Sequence, residues 1–464
     1  MKERNAKVPD TEDYVSTRNA CKLCSPLGAC FALRGIEGCI PLIHGSQGCS
    51  TYIRRYGISH FREPIDIASS NFTESTAIFG GKDNLFTALE NVTKSYRPQA
   101  IGVTSTCLSE TIGEDVQMYI RQYESERRRL DSGKNFPEIF YSSTASYRGT
   151  HIDGFHEAIW SAVTKLAGNE PSGRKRARLN LISGFVSSED IRELHSILTS
   201  FDLPYTLMPD YSESLDGGSW EEYQRLPEGG TKISDIRRMK DALGTVYLGS
   251  PALPEKDAGL WLQNNFGVPV THVDLPIGIE NCDSFFASLS RITGKSVPEI
   301  WAKQRTRLID AYIDGHKYCN GKRAIIYGEE DFVTAIASFM DEIGITPVIA
   351  ATGAENKNFR GRIEAALKNT RRKTEIIDNA DFSTILEMAE ELRPDFAMGS
   401  SKGLYLSRNL NIPLIRCGFP IHDRIGGQRI LHLGYRGTIN LFDMVCNAIM
   451  QSKQDKVSSG YTYI

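Results

Sequence analysis

The sequence predicts an α/β protein built from three doubly wound, Rossmann-like domains with parallel sheets. Short apolar, β-rich runs alternate with longer amphipathic segments along almost the whole chain, which is the pattern of parallel strands joined by crossover helices. A chain of 464 residues is also too long for one ordinary hydrophobic core. The content of 40% hydrophobic and 24% charged residues is typical of globular proteins.

The first predicted domain spans residues 1–170. The apolar run from Ala100 to Val103 predicts a buried strand that ends at Thr104-Ser105-Thr106-Cys107, with a helical pattern from Glu110 onward. Pro26 suits the first turn of a helix that would begin just after Cys24. This domain therefore carries two cysteines at junctions between regular elements.

The second predicted domain spans residues 171–318, and it continues the alternation of strands and helices. A helix is predicted from Ser188 to Thr199, and the pairs Gly217-Gly218 and Gly229-Gly230 mark loops. The predicted strands are Leu179–Ile182, Tyr205–Met208, Thr245–Leu248 and Val268–His272.

The third predicted domain spans residues 319–464. A helix is predicted from Phe332 to Ile343, between the first two strands of the domain. The predicted strands are Arg323–Tyr327, Pro347–Ala350, Glu375–Ile377, Asp395–Met398 and Pro413–Ile415. No internal repeat of short period and no low-complexity tract interrupts the series.

Charge and hydropathy exclude several classes of protein. A net charge of −3 gives no reason to expect nucleic acid or an anionic membrane as a partner. No run of 18 apolar residues predicts a transmembrane helix, and the polar segment from Met1 to Thr17 lacks the features of a secretory signal. We therefore expect a cytoplasmic protein. Because the cytosol keeps thiols reduced, its ten cysteines are expected to be buried thiols or metal ligands.

Three cysteines lie where an anionic group could be held. Cys24 precedes a predicted helix, whose N-terminus favours negative charge. Cys49 ends the segment His44-Gly-Ser-Gln-Gly-Cys49, whose glycines allow close backbone approach. Cys107 follows a strand, at the sheet edge where doubly wound folds place ligands. Thiolates are the usual ligands of iron–sulfur clusters, but spacing alone does not join the three into one site.

The other candidate ligands have plainer interpretations. Cys21 and Cys24 form a Cys-x-x-Cys pair, which could indicate zinc or thiol redox chemistry, but no second pair follows at zinc-ribbon spacing. Six cysteines are expected in the core: Cys30, Cys39, Cys282, Cys319, Cys417 and Cys446. Three histidines, without paired metal-ligand spacing, are expected to make loop or interface hydrogen bonds: His44, His60 and His422.

Motifs for nucleotide or hydrolytic chemistry are missing. The chain has no phosphate-binding P-loop, no Gly-x-Gly-x-x-Gly fingerprint and no Gly-x-Ser-x-Gly elbow. We therefore do not expect this chain to hydrolyse ATP. Any demanding chemistry would belong to a cofactor that the protein positions.

Taken together, seven segments resemble the component 1 proteins of nitrogenase and their relatives, most closely the β-type subunits. The segments are Cys24–Ala29, His44–Cys49, His60–Pro64, Thr73–Gly81, Thr106–Asp115, Gly418–Pro420 and Gly434-Tyr435. The resemblance covers nearly the whole chain and implies the nitrogenase component 1 fold. The intervals between the three cysteines are similar to those of the molybdenum–iron protein β subunit.

The resemblance implies a cofactor and partners. In the molybdenum–iron protein, the cysteines matching Cys24, Cys49 and Cys107 bind the eight-iron [8Fe-7S] P-cluster, which is shared with three cysteines of the α-type subunit. Ser146 matches a serine that can ligate the oxidised P-cluster in some members, although an ordinary loop serine is an open alternative. An ATP-dependent iron protein would donate electrons, which pass on to a cofactor in the α-type subunit of an α₂β₂ complex.

Several functions stay open on this resemblance. The early position of Cys24 and the segment Glu213–Gly217 are similar to the β-type half of the cofactor-maturation scaffold, which holds a four-iron [4Fe-4S] cluster in well-known members. Methylthio-alkane reductase, a catalytic relative of that branch, suits a chain with a full cysteine set, and a dinitrogenase β subunit is a further alternative. A solute-binding protein of similar α/β shape is disfavoured because no export signal is seen.

Overall fold

The computed structural model describes residues 21–130, 136–168, 177–370 and 373–457. Within them the chain forms three parallel sheets, of four, four and five strands, and each sheet lies within one of the three predicted segments. The α/β class with doubly wound parallel sheets is thus confirmed. Among the helices of the described ranges, none is long and apolar enough to cross a membrane.

The first sheet is built by residues 39–142. Its strands are β1 (Cys39–His44), β2 (Ala68–Ser69), β3 (Ala100–Ser105) and β4 (Glu138–Ser142). They pair in the order β2-β1-β3-β4. Its helices are α1 (Ser25–Arg34), α2 (Gln47–Phe61), α3 (Glu74–Phe79), α4 (Lys82–Tyr96), α5 (Cys107–Thr111), α6 (Val116–Leu130) and α7 (His151–Gly168). The order reverses between β1 and β3, so the crevice beyond their carboxyl ends is the expected ligand position of this sheet.

The second sheet follows the predicted strands closely. Its strands are β5 (Leu179–Ile182), β6 (Tyr205–Met208), β7 (Gly244–Leu248) and β8 (Val270–Val273), in the order β6-β5-β7-β8. Its helices are α8 (Ser188–Ser200), α9 (Ile233–Arg237), α10 (Ala258–Phe266), α11 (Ile279–Thr293) and α12 (Glu299–Cys319). The strand predicted from Val268 begins two residues later, at Val270, where pairing with Thr245 of β7 starts.

The third sheet has five strands. They are β9 (Arg323–Gly328), β10 (Thr346–Thr352), β11 (Glu375–Ile377), β12 (Phe396–Gly399) and β13 (Leu414–Arg416), in the order β11-β10-β9-β12-β13. Its helices are α13 (Glu330–Glu342), α14 (Phe359–Ala366), α15 (Phe382–Leu392), α16 (Leu404–Leu410) and α17 (Gly434–Gln454). Here the strand order reverses between β9 and β12.

Aromatic side chains join the three sheets into one core. Phe31 of α1, Phe185 after β5 and Phe419 after β13 contact one another pairwise, with ring centroids 6.2 Å, 5.6 Å and 5.2 Å apart. The largest cluster of buried apolar residues is continuous across all three segments. Because the core crosses the predicted boundaries at residues 170 and 318, the division into 1–170, 171–318 and 319–464 stays a prediction.

A buried acid in the third segment predicts a dependence of stability on pH. Burial, reinforced by the neighbouring carboxylate of Asp331, raises the pKa of Glu330 from 4.5 to about 7, and the Asn356 amide donates a hydrogen bond to its carboxylate. The folded chain therefore binds this proton more tightly than the unfolded chain does. Stability from this group is complete below pH 4.5 and is lost as pH rises toward 7.

Glu330→Gln keeps a neutral side chain at every pH. We expect its free energy of unfolding to exceed that of the wild type by on the order of 1–2 kcal/mol at alkaline pH. The two proteins should converge in acid, and denaturant unfolding on both sides of neutrality measures the difference. Equal slopes of stability against pH would contradict the expectation.

Candidate functional site at the edge of the first sheet

Cys24, Cys49, Cys107 and Ser146 line one cavity of about 450 Å³. It lies beyond the carboxyl ends of β1 and β3, at the point where the strand order reverses. The lining residues are Cys24, Pro26, Ser46, Gly48, Cys49, Tyr52, Ile53, Thr106, Cys107, Leu108 and Ser146. The structure thus brings together all four residues singled out in the sequence, although their role as ligands stays a prediction.

Each of the three cysteines stands at the N-terminus of a helix. Cys24 is the N-cap residue of α1, with Pro26 in the first turn, which agrees with the sequence prediction. Cys49 is the third residue of α2 and Cys107 the first residue of α5. Helix N-termini present unpaired backbone N–H groups and favour negative charge, so at each of the three cysteines the helix end acts against the cost of burying a thiolate.

Two glycines of the segment before Cys49 have different roles. A Cβ atom at Gly45 would lie 2.4 Å from Thr106 Cγ2, so this glycine allows the loop after β1 to touch the loop after β3. At Gly48 a Cβ atom would meet only Ser46 Oγ, at 3.6 Å. Gly48 lies in the first turn of α2 and is not required by packing within the chain. Because Gly48 has no side chain, its backbone is accessible from the cavity, as the glycines before Cys49 suggested in the sequence.

Close packing of α1 against α7 positions Cys24 and Ser146. A Cβ atom at Gly28 would lie 1.7 Å from the carbonyl oxygen of His151, and one at Gly154 would lie 1.9 Å from that of Ser25. The two helices therefore touch through backbone. Cys24 also pairs with Thr150 in an isolated antiparallel bridge, so the loop before α7 runs beside Cys24.

Ser146 contacts two of the three cysteines. Its backbone N–H donates to Cys107 Sγ at 3.3 Å, and its hydroxyl oxygen accepts from the Ser25 N–H at 3.2 Å. Burial raises the pKa of the Cys24 thiol, whereas a hydrogen bond from the Ser146 side chain opposes the shift; the thiols of Cys107 and Cys49 add to it. The three thiols are thus near enough to influence one another electrostatically.

Glu110 organises the wall behind Cys107. One carboxylate oxygen accepts hydrogen bonds from Ser105 at 2.6 Å, Ser143 at 2.7 Å and Tyr141 at 2.9 Å. Burial alone would raise its pKa, but these hydroxyls, with the Arg148 guanidinium, hold the pKa below the usual value. In the sequence, Glu110 belongs to the family-like segment Thr106–Asp115, and no role is predicted for it. Its position three residues after Cys107, on a short helix, was the available signal.

The motif histidines make structural hydrogen bonds. His44 lies 3.1 Å from Ser70 Oγ and 3.2 Å from a Glu114 oxygen, which ties the end of β1 to the segment after α5. His60 Nδ1 accepts from the Ile421 N–H at 2.9 Å, and burial lowers the pKa of His60 to about 3. The ring contacts of His44 and His60 agree with the expectation of hydrogen bonding. At His422 the hydrogen bonds are made by the backbone, whose N–H donates to Ser401 Oγ at 3.2 Å and whose carbonyl accepts from Arg62 at 3.0 Å.

The remaining cysteines lie elsewhere. Cys21 does not line the cavity that contains Cys24. Its N–H donates to the Ala380 carbonyl at 3.1 Å, its side chain packs against the core of the third sheet, and burial raises its pKa to about 12. The Cys-x-x-Cys pair therefore does not form a common site. The six cysteines predicted for the core are all buried: Cys30, Cys39, Cys282, Cys319, Cys417 and Cys446.

The donors of the cavity suit a polynuclear group better than a single ion. Within the described ranges, no three histidine, cysteine or acidic side chains approach closely enough to hold one metal ion. The three thiols instead stand around a cavity large enough for several atoms. Soft thiolates are the ligands of iron–sulfur clusters, so the donor set fits such a cluster. Cys24 and Cys107 are exposed, so the cavity opens at the surface of this chain.

Comparison with known proteins identifies the class. Residues 24–450 match the family described as nitrogenase component 1 type oxidoreductase. The chain is 37% identical to the nitrogenase molybdenum-iron protein beta chain of Clostridium pasteurianum over 93% of both chains. It is 36% identical to that of Methanothermobacter thermautotrophicus, over 93% of this chain and 94% of the relative.

Solved structures agree with the sequence relatives. A structure titled "Nitrogenase Cp1 at pH 6.5" superposes with a TM-score of 0.92 at 34% identity, covering 98% of both chains. A chain titled "Nitrogenase Cp1 at pH 5" has a TM-score of 0.71 at 15% identity, covering 99% of this chain and 94% of that one, and shows the shared fold. The protein belongs to the nitrogenase component 1 family of oxidoreductases. Within that family it is a β-type subunit.

Family membership excludes the solute-binding alternative. The chain covers 93% and 94% of the molybdenum-iron protein beta chains of two organisms, so those relatives are similar to it in overall length.

Proposed function

We propose that this chain is the β-type subunit of a nitrogenase-like reductase and holds one half of an interface iron–sulfur cluster through Cys24, Cys49 and Cys107. The observation that carries the proposal is the convergence of three thiols, from three separate stretches of chain, on one open cavity. We further propose an eight-iron P-cluster type, because a full set of three thiols is available on this side. Bound there, such a cluster supplies electron transfer between an ATP-dependent iron protein and a catalytic cofactor in the α-type subunit.

The residues of this chain have definable tasks at such a site. Cys24, Cys49 and Cys107 would be the ligands, each supported by the positive end of a helix. Ser146 lies within hydrogen-bonding distance of the Cys107 sulfur and would act as a neighbour that tunes the site or as an additional ligand. Hydrogen bonds to cluster sulfurs and exclusion of water set the potential of a cluster.

The rim of the cavity supports a shared interface. Tyr52, Leu108 and Tyr147 leave 42%, 40% and 58% of their surface exposed, although large apolar side chains cost free energy in water. Tyr52 and Leu108 line the cavity itself. An α-type subunit placed over this opening would bury these side chains and add ligands of its own. We propose that two such heterodimers pair as α₂β₂.

The substrate is proposed from the relatives. Their printed names are those of molybdenum-iron protein beta chains, which favours dinitrogen reduction and the dinitrogenase β subunit. The segment Glu213–Gly217, which is similar to the maturation scaffold, lies against Arg34 and Arg192 and does not line the cavity. It therefore does not favour the scaffold or methylthio-alkane reductase over a dinitrogenase.

Anaerobic co-purification with the α-type partner tests the proposal. We expect an iron content and an EPR spectrum of the oxidised complex that fit an eight-iron interface cluster, and ammonia formation from dinitrogen with the iron protein. Ethylene from (2-methylthio)ethanol would instead identify a methylthio-alkane reductase. A four-iron cluster with cofactor transfer and no turnover would identify a scaffold. An iron-free interface would refute the cluster itself.

A further inference from the structure

The segment Cys21–Leu23 lies across the carboxyl edge of the third sheet. The Cys21 N–H donates to the Ala380 carbonyl at 3.1 Å. The Lys22 amine donates to Asn379 Oδ1 at 3.0 Å, and the Lys402 amine donates to the Lys22 carbonyl at 3.3 Å. Contacts from the loop after β11 and from the turn after β12 therefore hold this segment from two sides.

The edge that the segment covers is where a doubly wound sheet usually binds a ligand. The strand order of the third sheet reverses between β9 and β12, and ligands of such sheets lie in the crevice at this point. The cavity left between the segment, Gly328, Glu329 and Ser400 is only about 10 Å³, which is too small to admit more than a water molecule. The chain itself thus fills the crevice.

Gly353, directly after β10, leaves room for the backbone of this segment. A Cβ atom there would lie 2.3 Å from both the carbonyl carbon and the oxygen of Cys21, and 2.6 Å from the Lys22 nitrogen. All three are backbone atoms, so no side-chain rotation relieves the clash. Its backbone is not in the left-handed region, so the close approach, and not the conformation, requires glycine here.

The segment ends at a proposed cluster ligand. Leu23 is buried, and its carbonyl accepts from the His151 N–H at 3.1 Å. The next residue, Cys24, caps α1 and lines the cavity. The position of the Cys24 thiol is therefore fixed by α1 on one side and by contacts with the third sheet on the other.

We infer that the third sheet positions Cys24 through the segment Cys21–Leu23, with Gly353, Asn379 and Lys402 as positioning residues. The inference rests on the proposed function, because it takes Cys24 as a ligand of the interface cluster. In this inference, the crevice of the third sheet is filled by the segment Cys21–Leu23 of the same chain and has a structural role. A movement of the third sheet relative to the first would consequently shift the position of Cys24, one of the proposed cluster ligands.

Gly353→Ala tests the inference in the complete complex, purified without oxygen. We expect faster amide hydrogen exchange in the peptide that contains residues 21–24, and an iron content of the interface cluster reduced roughly twofold or more. The EPR signal of the oxidised complex should change as well. Gly361→Ala on α14 is the matched control, because a Cβ atom there meets nothing within 4 Å.

If the Gly353→Ala complex does not assemble, Asn379→Ala tests the inference instead, because it removes the hydrogen bond to Lys22 without adding bulk. Unchanged exchange in residues 21–24 would show that the crevice does not hold the segment, and would overturn the inference. Faster exchange with a wild-type cluster signal would overturn it too, because Cys24 would then be positioned by α1 alone. A wild-type complex without an interface cluster would refute the proposed function, whereas the exchange data would still report on the crevice.

Discussion

Replacement of Cys107 by alanine is expected to remove iron from the interface cluster and to abolish electron transfer to the partner subunit. The same result is expected for Cys24→Ala and Cys49→Ala, because each thiol lies at a helix N-terminus on the same cavity. Loss of residues that merely support a metal ligand costs about 10–100-fold in affinity or activity. Loss of a ligand should therefore lower turnover by at least about 100-fold.

Iron analysis and turnover of the anaerobically purified complex measure this effect. Cys446→Ala is the matched control. Its thiol is buried 3.3 Å from that of Cys319, between α12 and α17, and it does not line the cavity. We expect this variant to keep its iron. Full iron content and turnover in all three ligand variants would rule out the proposed site.

Replacement of Gly28 by alanine is expected to destabilise the protein strongly. A Cβ atom at this position would lie 1.7 Å from the His151 carbonyl oxygen, and α1 cannot move away from α7 without disturbing Cys24 and Phe31 at the same time. Overpacking of a tight core typically costs 1–3 kcal/mol and occasionally more. Because backbone meets backbone here, we expect a loss of about 3 kcal/mol or more.

The contrast with another helical glycine makes this prediction specific. Gly361→Ala, on the open surface of α14, should be neutral or stabilise the protein by up to about 1 kcal/mol, since alanine favours helix more than glycine does. Thermal unfolding of the two variants in parallel compares them directly. Equal melting temperatures would mean that the contact between α1 and α7 adapts easily.

Most strands could be predicted from sequence because they are continuous apolar runs bounded by turns. No strand is predicted for β1, β2 or β4. Of these three, β1 lies inside the sheet, between β2 and β3, and is buried throughout. It contains Pro41, which cannot donate a ladder hydrogen bond and argues against a central strand. The opposite residue on β3 is Gly102, and this partner is not visible in the local sequence.

The candidate site was only partly accessible from sequence. Pro26 correctly indicated that a helix begins after Cys24, and the strand before Cys107 indicated a sheet edge. The convergence of Cys24, Cys49 and Cys107 depends on the crossing of α1 with α7 and on the pairing of β1 with β3. These are contacts between distant stretches of chain, so local periodicity does not contain them. The family resemblance supplied that information instead.

The aromatic contact among Phe31, Phe185 and Phe419 bears on how the polypeptide unfolds. Phe31 lies on α1 beside the first sheet, and Phe185 and Phe419 lie in the loops after β5 and β13. No one sheet can therefore detach with its neighbouring helices and loops without exposing apolar surface on the other two. The chain should thus melt cooperatively, as one thermodynamic unit, despite its length. Excised fragments that carry only one sheet would leave these rings unmatched, so the thiol-bearing part has to be produced together with the rest of the subunit.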